Sequence, residues 1–236
     1  MEVKQFIKIF REAFGERQLL PIAMWYSDEP VAQTAMVGGC YFKHLESVRA
    51  GVTVSLNEEN IGCNGGKFYA GFSGMPEYVP KFVSEKEHYK ESAQAVLNFV
   101  ESVGVESKKG KFLNLTLLDN LTSFDNVEGL LFLCNADVLS GLASWCFYDG
   151  HTPEAISTLF GSGCSTIITQ TINENKRGGH RCFIGLFDPS ARPFVNENEL
   201  AMTIPFSRFK EMYYTISKSC LIGTRAWGKV LERIGR

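Results

Sequence analysis

Three cysteines stand next to glycines at widely separated places in the chain: Cys40 in VGGC, Cys63 in IGCNGG and Cys164 in GSGC. At each of them the pattern indicates that a loop passes into a more regular element. The N-terminus of a helix carries unpaired N–H groups and the positive end of the helix dipole, and both stabilise a thiolate. A cysteine there is expected to have a pKa below the free value of about 8.5, and so to bind metal or react readily.

These three cysteines are candidate metal ligands. Three thiolates in one place are enough to hold a zinc ion, or an iron–sulfur cluster with one open position. His44 follows Cys40 by four residues, so a helix would put both on one face. The leading hypothesis is therefore a metal site at Cys40, Cys63 and Cys164, most plausibly an oxygen-sensitive iron–sulfur cluster.

A competing interpretation makes all three cysteines buried core residues. A free cysteine packs as a small apolar side chain, and the long intervals between the three match no metal-binding motif. On this interpretation His44 is a surface residue whose hydrogen bonds are satisfied. The sequence leaves both interpretations open.

Two cations are candidate ligand-binding residues for an anionic molecule. Lys67 follows the turn at Cys63, and Arg192 follows an Asp-Pro turn, where a guanidinium can hold a carboxylate or phosphate with two hydrogen bonds. The alternative for Arg192 is an ordinary surface pair with a neighbour such as Asp188 or Glu199. The second hypothesis is thus a metal-free module that binds a small anionic metabolite.

A third hypothesis is a thiol-dependent enzyme with Cys63 as the nucleophile. The chain shows no Walker loop, no dinucleotide-binding glycine motif and no Ser-His-Asp order. A histidine partner for Cys63 is not evident from spacing. We therefore rank this hypothesis after the two binding hypotheses.

Composition excludes several partners. The chain has 236 residues, and 24 Lys and Arg against 26 Asp and Glu give a formal charge of −2. No basic cluster offers a footprint for nucleic acid or for an anionic membrane surface. The N-terminal stretch is charged and lacks an apolar signal core, so we expect a cytoplasmic protein whose seven cysteines are reduced. The most apolar stretch, residues 130–147, contains Asn135 and Asp137 and fits two elements better than one membrane span.

Periodicity predicts the elements that must position these residues. Strands and helices alternate irregularly, which indicates an α+β fold, with α/β as the alternative. We predict one compact domain over residues 1–236, with a mixed sheet, flanking helices and a candidate internal boundary near residues 104–110. Helices are predicted over residues 3–14, 40–49, 65–72, 85–103, 136–145, 153–160, 205–218 and 227–234. Strands are predicted over residues 19–26, 51–56, 112–118, 129–134, 167–172, 182–187 and 199–204.

The chain resembles a domain-of-unknown-function family, number 169 (DUF169), which occurs in archaea and anaerobic bacteria. The resemblance extends from about residue 20 to residue 214. The stretches that carry it are GCYFKHLESVRAG, SLNEENIGCNGGKFYAGF, LLFLCNADVLSGLASWCFYDG, SGCSTII and ARPFVNENELAMTIPFSRF.

The resemblance implies that certain residues act together. The family pattern has cysteines at the positions of Cys40, Cys63 and Cys164, and an arginine near Arg192. One departure is that Asn-Gly-Gly follows Cys63 here, where the family usually has Pro-Gly. The resemblance supports a shared site for the three cysteines and implies no particular reaction.

Overall fold

The computed structural model describes residues 1–35, 38–105, 110–150 and 152–235. Within these ranges, nine α-helices flank one open sheet of seven strands, so the fold is α+β, as predicted. The helices are α1 (Val3–Phe14), α2 (His44–Arg49), α3 (Asn64–Tyr69), α4 (Val79–Lys81), α5 (Ala93–Val103), α6 (Ala136–Cys146), α7 (Thr171–Lys176), α8 (Phe206–Met212) and α9 (Arg225–Ile234). The strands are β1 (Ile22–Ser27), β2 (Val54–Leu56), β3 (Phe112–Leu117), β4 (Gly129–Cys134), β5 (Ile156–Ser157), β6 (Cys182–Gly185) and β7 (Leu200–Pro205).

The sheet is mixed. Its strand order is β2-β3-β1-β4-β7-β6-β5, and every neighbouring pair is antiparallel except β5 and β6. Strand β4 pairs with β7 from Gly129 opposite Pro205 to Cys134 opposite Leu200. All six residues of β4 are buried, which explains its continuous apolar sequence.

Helix α1 anchors the aromatic core. Phe6, Phe10 and Phe14 recur every four residues, so they lie on one face, and all three are fully buried. The ring of Phe6 packs against that of Trp145 on α6, with 6.2 Å between centroids. Gly15 ends the helix with a φ of 84°, as predicted, because glycine adopts this left-handed region without strain.

The apolar stretch of residues 130–147 forms two elements, β4 and α6, as predicted. The side chain of Asn135 caps α6 by accepting the N–H of Val138 at 3.0 Å. Among the described residues, no helix is both long and apolar enough to cross a membrane.

The prediction of a strand over residues 167–172 is wrong. These residues lie in a π-helix, Ser165–Gln170, and in the start of α7. Every residue of the π-helix is buried, so its β-branched side chains form no alternating pattern of exposure. A short apolar run that is buried on all sides cannot be assigned by periodicity.

The predicted helix over residues 85–103 is only half right. Helix α5 begins at Ala93, where Ser92 caps it by accepting the N–H of Ala95 at 3.2 Å. Upstream, His88 has a φ of 55°, which a right-handed helix does not permit. Residues around this break line a cavity instead of continuing the helix.

Two other helices are shorter than predicted. The helix predicted over residues 205–218 ends at Met212 and is followed by a 3₁₀-helix at Ile216–Lys218. Residues 153–160 form only a 3₁₀-helix, Pro153–Ala155, and strand β5.

The candidate boundary near residues 104–110 falls mainly on residues 106–109, which lie outside the described residues. Strand β3, which follows it, pairs with β1 and β2, which precede it. The single-domain organisation stays a prediction.

Candidate functional site

Cys40, Cys63 and Cys164 line one cavity of about 620 Å³. They reach it from three segments that are distant in the sequence. Residues of α5 and of the stretch before it, from Tyr78 to Lys90, also line the cavity. The tertiary structure therefore brings together the three cysteines that the sequence singled out.

Each of the three cysteines precedes a helical element, as predicted. Cys40 stands before the 3₁₀-helix Tyr41–Lys43, and Cys164 stands before the π-helix. Cys63 is the N-cap of α3, and its Sγ accepts the N–H of Gly66 at 3.2 Å. The local sequence thus sets where the backbone presents each thiol.

Close packing explains two of the neighbouring glycines. A Cβ at Gly66 would lie 2.9 Å from Sγ of Cys63 and 3.2 Å from Cβ of Tyr41. A Cβ at Gly163 would lie 2.6 Å from the ring of Phe42. Only glycine lets these backbones approach so closely, and this approach holds the cysteines in the cavity wall.

The thiols of Cys40 and Cys164 hold their protons more tightly than a free thiol. Burial raises the pKa of Cys40 to about 11, and Cys63 and Asp188 add repulsion. Burial also raises the pKa of Cys164, and Cys63, Cys40 and Asp188 again add to it. The prediction of lowered pKa values is therefore wrong for these two, because desolvation outweighs the helix terminus.

Asp188 is a cavity residue whose part the sequence did not reveal. It is buried, and its carboxylate accepts the N–H of Gly163 at 3.2 Å and both the N–H and the hydroxyl of Ser190 at 2.9 and 2.7 Å. These donors fix its orientation. The sequence marks Asp188 only by its place before a proline, which predicts a surface partner for Arg192.

Eight of the described aromatic residues also line the cavity. Burial raises the pKa of one of them, Tyr69, to about 12, so its hydroxyl stays protonated. The ammonium of Lys90 lies 4.9 Å from the ring centre of Phe99 and 5.7 Å from that of Phe160. The aromatic residues that line the cavity are Phe42, Tyr69, Tyr78, Phe82, Tyr89, Phe99, Phe160 and Phe194.

Lys67 and Arg192 are not among the residues that line this cavity. The guanidinium of Arg192 donates to the backbone carbonyls of Asn196, Glu197 and Glu199, so it closes a turn. It also borders a separate hollow of about 480 Å³. Anion binding by these two cations stays a prediction.

His44 is engaged elsewhere. Its side chain is buried, and Nε2 lies 3.1 Å from the carbonyl oxygen of Asn60. The expectation of a surface histidine is wrong, whereas its hydrogen bonding is satisfied. Burial lowers its pKa. Its Nε2 is therefore already engaged with the backbone of Asn60.

In the part of the chain that the structure describes, no three His, Cys, Asp or Glu side chains form a group that could hold one metal ion. The thiols share a cavity without converging on one point. Metal ligation by the three cysteines stays a prediction.

Comparison with known proteins identifies a family. The model of the family described as DUF169, uncharacterised ArCR, matches residues 18–214, a range that contains all three cavity cysteines. No curated protein and no solved structure matches the chain significantly.

Proposed function

The chain belongs to the DUF169 family, and we propose that it binds an iron–sulfur cluster through Cys40, Cys63 and Cys164. The observation that supports this is that three cysteines from distant segments line one cavity. Thiolates are the usual ligands of such clusters.

A cluster suits this arrangement better than a single ion does. Each iron of a cluster binds its own thiolate, so the three sulfurs need not meet at one atom. This agrees with the lack of a three-residue group for one ion among the described residues. Binding would displace the thiol protons, and the positive irons would offset the repulsion from Asp188 that raises the pKa of Cys40 and Cys164.

The residues around the cysteines would set the reduction potential of such a cluster. Cys164 is buried, and the N–H of Gly66 already points to Sγ of Cys63. Burial and hydrogen bonds to sulfur are the main means by which a protein sets the potential of a cluster. Three ligands would leave one iron open to a small molecule in the rest of the cavity.

A second candidate is a metal-free binding protein for a small aromatic molecule. The aromatic wall favours it, and so does the protonated state of Cys40, whose pKa is about 11. Among the described residues that line the cavity, Lys90 is the only cation, and two carboxylates, those of Glu87 and Asp188, also line it. These charges favour a neutral or cationic ligand over the anionic metabolite that the sequence suggested.

The first experiment is to purify the protein without oxygen and to measure iron, acid-labile sulfide and the visible spectrum. We expect iron, sulfide and broad absorbance. Replacing Cys40, Cys63 or Cys164 by serine should remove the bound iron. Cys134→Ser is the matched control, because Cys134 is buried in β4 and does not line the cavity.

Two outcomes would contradict the cluster. One is full iron content in all three cavity variants. The other is a colourless wild-type protein that takes up no iron on anaerobic reconstitution. Binding of Nile red, a neutral aromatic dye, to that colourless protein would then support the second candidate if Phe82→Asp abolished it and Leu159→Asp did not. Both side chains are exposed, but only Phe82 lines the cavity.

A further inference from the structure

Cys146 and Cys182 form a thiol pair outside the cavity. Cys146 is the last residue of α6 and Cys182 is the first residue of β6. Both are fully buried, and their sulfurs lie 3.5 Å apart.

We propose that Cys146 and Cys182 are a redox site that a hydroperoxide, such as hydrogen peroxide, converts into a disulfide. The proposal does not depend on the function of the cavity. A disulfide needs its sulfurs at about 2.0 Å, so closing the gap requires a shift of about 1.5 Å, which side-chain rotation can supply.

The environment makes Cys146 the attacking thiol. Arg208 is fully buried and donates from Nη2 to the carbonyl oxygen of Cys146 at 2.9 Å. The hydrogen bond with Cys182 and the charge of Arg208 lower the pKa of Cys146, against the opposing effect of burial. Burial raises the pKa of Cys182. Cys146 is therefore the more acidic thiol of the pair, so its thiolate is the attacking species in the proposed reaction.

The chemistry takes two steps. The Cys146 thiolate attacks one peroxide oxygen, the O–O bond breaks, and the products are a sulfenic acid and hydroxide. The sulfur of Cys182 then attacks the sulfenic sulfur, the S–O bond breaks, and the proton of Cys182 leaves with that oxygen as water. The hydroxide takes up the proton that Cys146 released, so two thiols are oxidised by two electrons in total and one peroxide is reduced to two waters.

A small oxidant would reach the pair when the short edge strand next to it opens locally. Sγ of Cys146 lies 3.7 Å from the carbonyl oxygen of Ala155, which directly precedes strand β5. Strand β5 has only two residues and lies at the edge of the sheet, where it pairs with β6 alone. Residues 147–150, which follow Cys146, are exposed. Such an edge opens locally at a lower free-energy cost than global unfolding.

The test is to treat the purified full chain with hydrogen peroxide, remove the excess, denature the protein and alkylate it. The number of alkylated thiols should fall by two from seven in the fraction that forms the link, apart from any loss at exposed Cys220. Peptide mapping should find Cys146 joined to Cys182, and dithiothreitol should release them. Links among the cavity cysteines would give different peptides.

Two variants sharpen the result. Cys182→Ala should abolish the link; it also removes a hydrogen bond that activates Cys146, so oxidation should be slower and should stop at a sulfenic acid that dimedone traps. Cys134→Ala replaces another buried cysteine and should keep the link. The proposal is overturned if Cys146 and Cys182 remain unlinked while Cys220 in the same sample is oxidised. This outcome is read on the wild-type chain, so it holds even if a variant does not fold.

Discussion

At the scale of single residues, the protonation state of Cys40 and Cys164 is decided by burial and not by their position at the start of a helix. A charge at an exposed helix end is stabilised by about 0.3–1 kcal/mol, whereas transfer out of water opposes the charged form more strongly. Cys40 and Cys164 both precede helical elements, yet the pKa of each is raised. Without a bound cation, these two residues are therefore thiols and not thiolates.

This state predicts slow alkylation of Cys40 in the metal-free protein. Because its pKa is about 11, only about one molecule in a thousand carries the Cys40 thiolate at pH 8. Its rate with iodoacetamide should rise about tenfold per pH unit and level off only near pH 11. Mass spectrometry of tryptic peptides would measure the rate, with exposed Cys220 as the internal reference. Alkylation of Cys40 at pH 7 as fast as that of Cys220 would contradict the raised pKa.

At the scale of elements, α3 shows how a short helix fixes a cysteine. Cys63 caps the helix, and its sulfur fills the space that a side chain at Gly66 would need. Gly65, one residue earlier, has nothing within 4 Å of a built Cβ. Of the two adjacent glycines, only Gly66 therefore lacks room for a side chain.

We expect Gly66→Ala to lower the free energy of unfolding by about 1–3 kcal/mol, because the methyl group overpacks against Cys63 and Tyr41. Gly65→Ala is the matched control and should be neutral or stabilising by up to about 1 kcal/mol, since alanine favours helix. Urea unfolding of both variants would measure the difference. Equal effects of the two substitutions would show that the close contact at Gly66 does not constrain the chain.

At the scale of the whole molecule, the aromatic rings that pack around Phe6 do not line the cavity, although both belong to one continuous core. The ring of Phe6 packs against Phe209 at 4.9 Å and against Trp145 at 6.2 Å. None of these three residues lines the cavity, whose wall comes instead from α5, the stretch before it and the loops that carry the cysteines. Stability and ligand binding should therefore respond to different substitutions.

A pair of variants tests this separation. Phe6→Leu should lower the free energy of unfolding by about 1–2 kcal/mol through lost packing, and it should leave the iron content per folded chain unchanged. Phe82→Ala removes a side chain that is 44% exposed and should change stability by less than about 0.5 kcal/mol. Because Phe82 lines the cavity, its loss should make bound iron easier to remove with a chelator. Loss of iron in folded Phe6→Leu would show that the two regions are coupled.

Local features of the fold could be predicted because a few neighbouring residues encode them. The phenylalanines of α1 repeat at helical spacing, Gly15 ends that helix, and Asn135 caps α6. Each of the three glycine-flanked cysteines precedes a helical element for the same reason. The sequence by itself determined these elements and the α+β class.

Only the tertiary structure decided what these elements form together. The meeting of Cys40, Cys63 and Cys164 depends on long-range packing, which no local pattern contains. Burial then reverses the expected pKa shift, and packing brings Asp188 to the cavity of the thiols while the guanidinium of Arg192 closes a turn. Desolvation and side-chain contact are properties of the packed molecule, so they arise only after the strands and helices have found their partners.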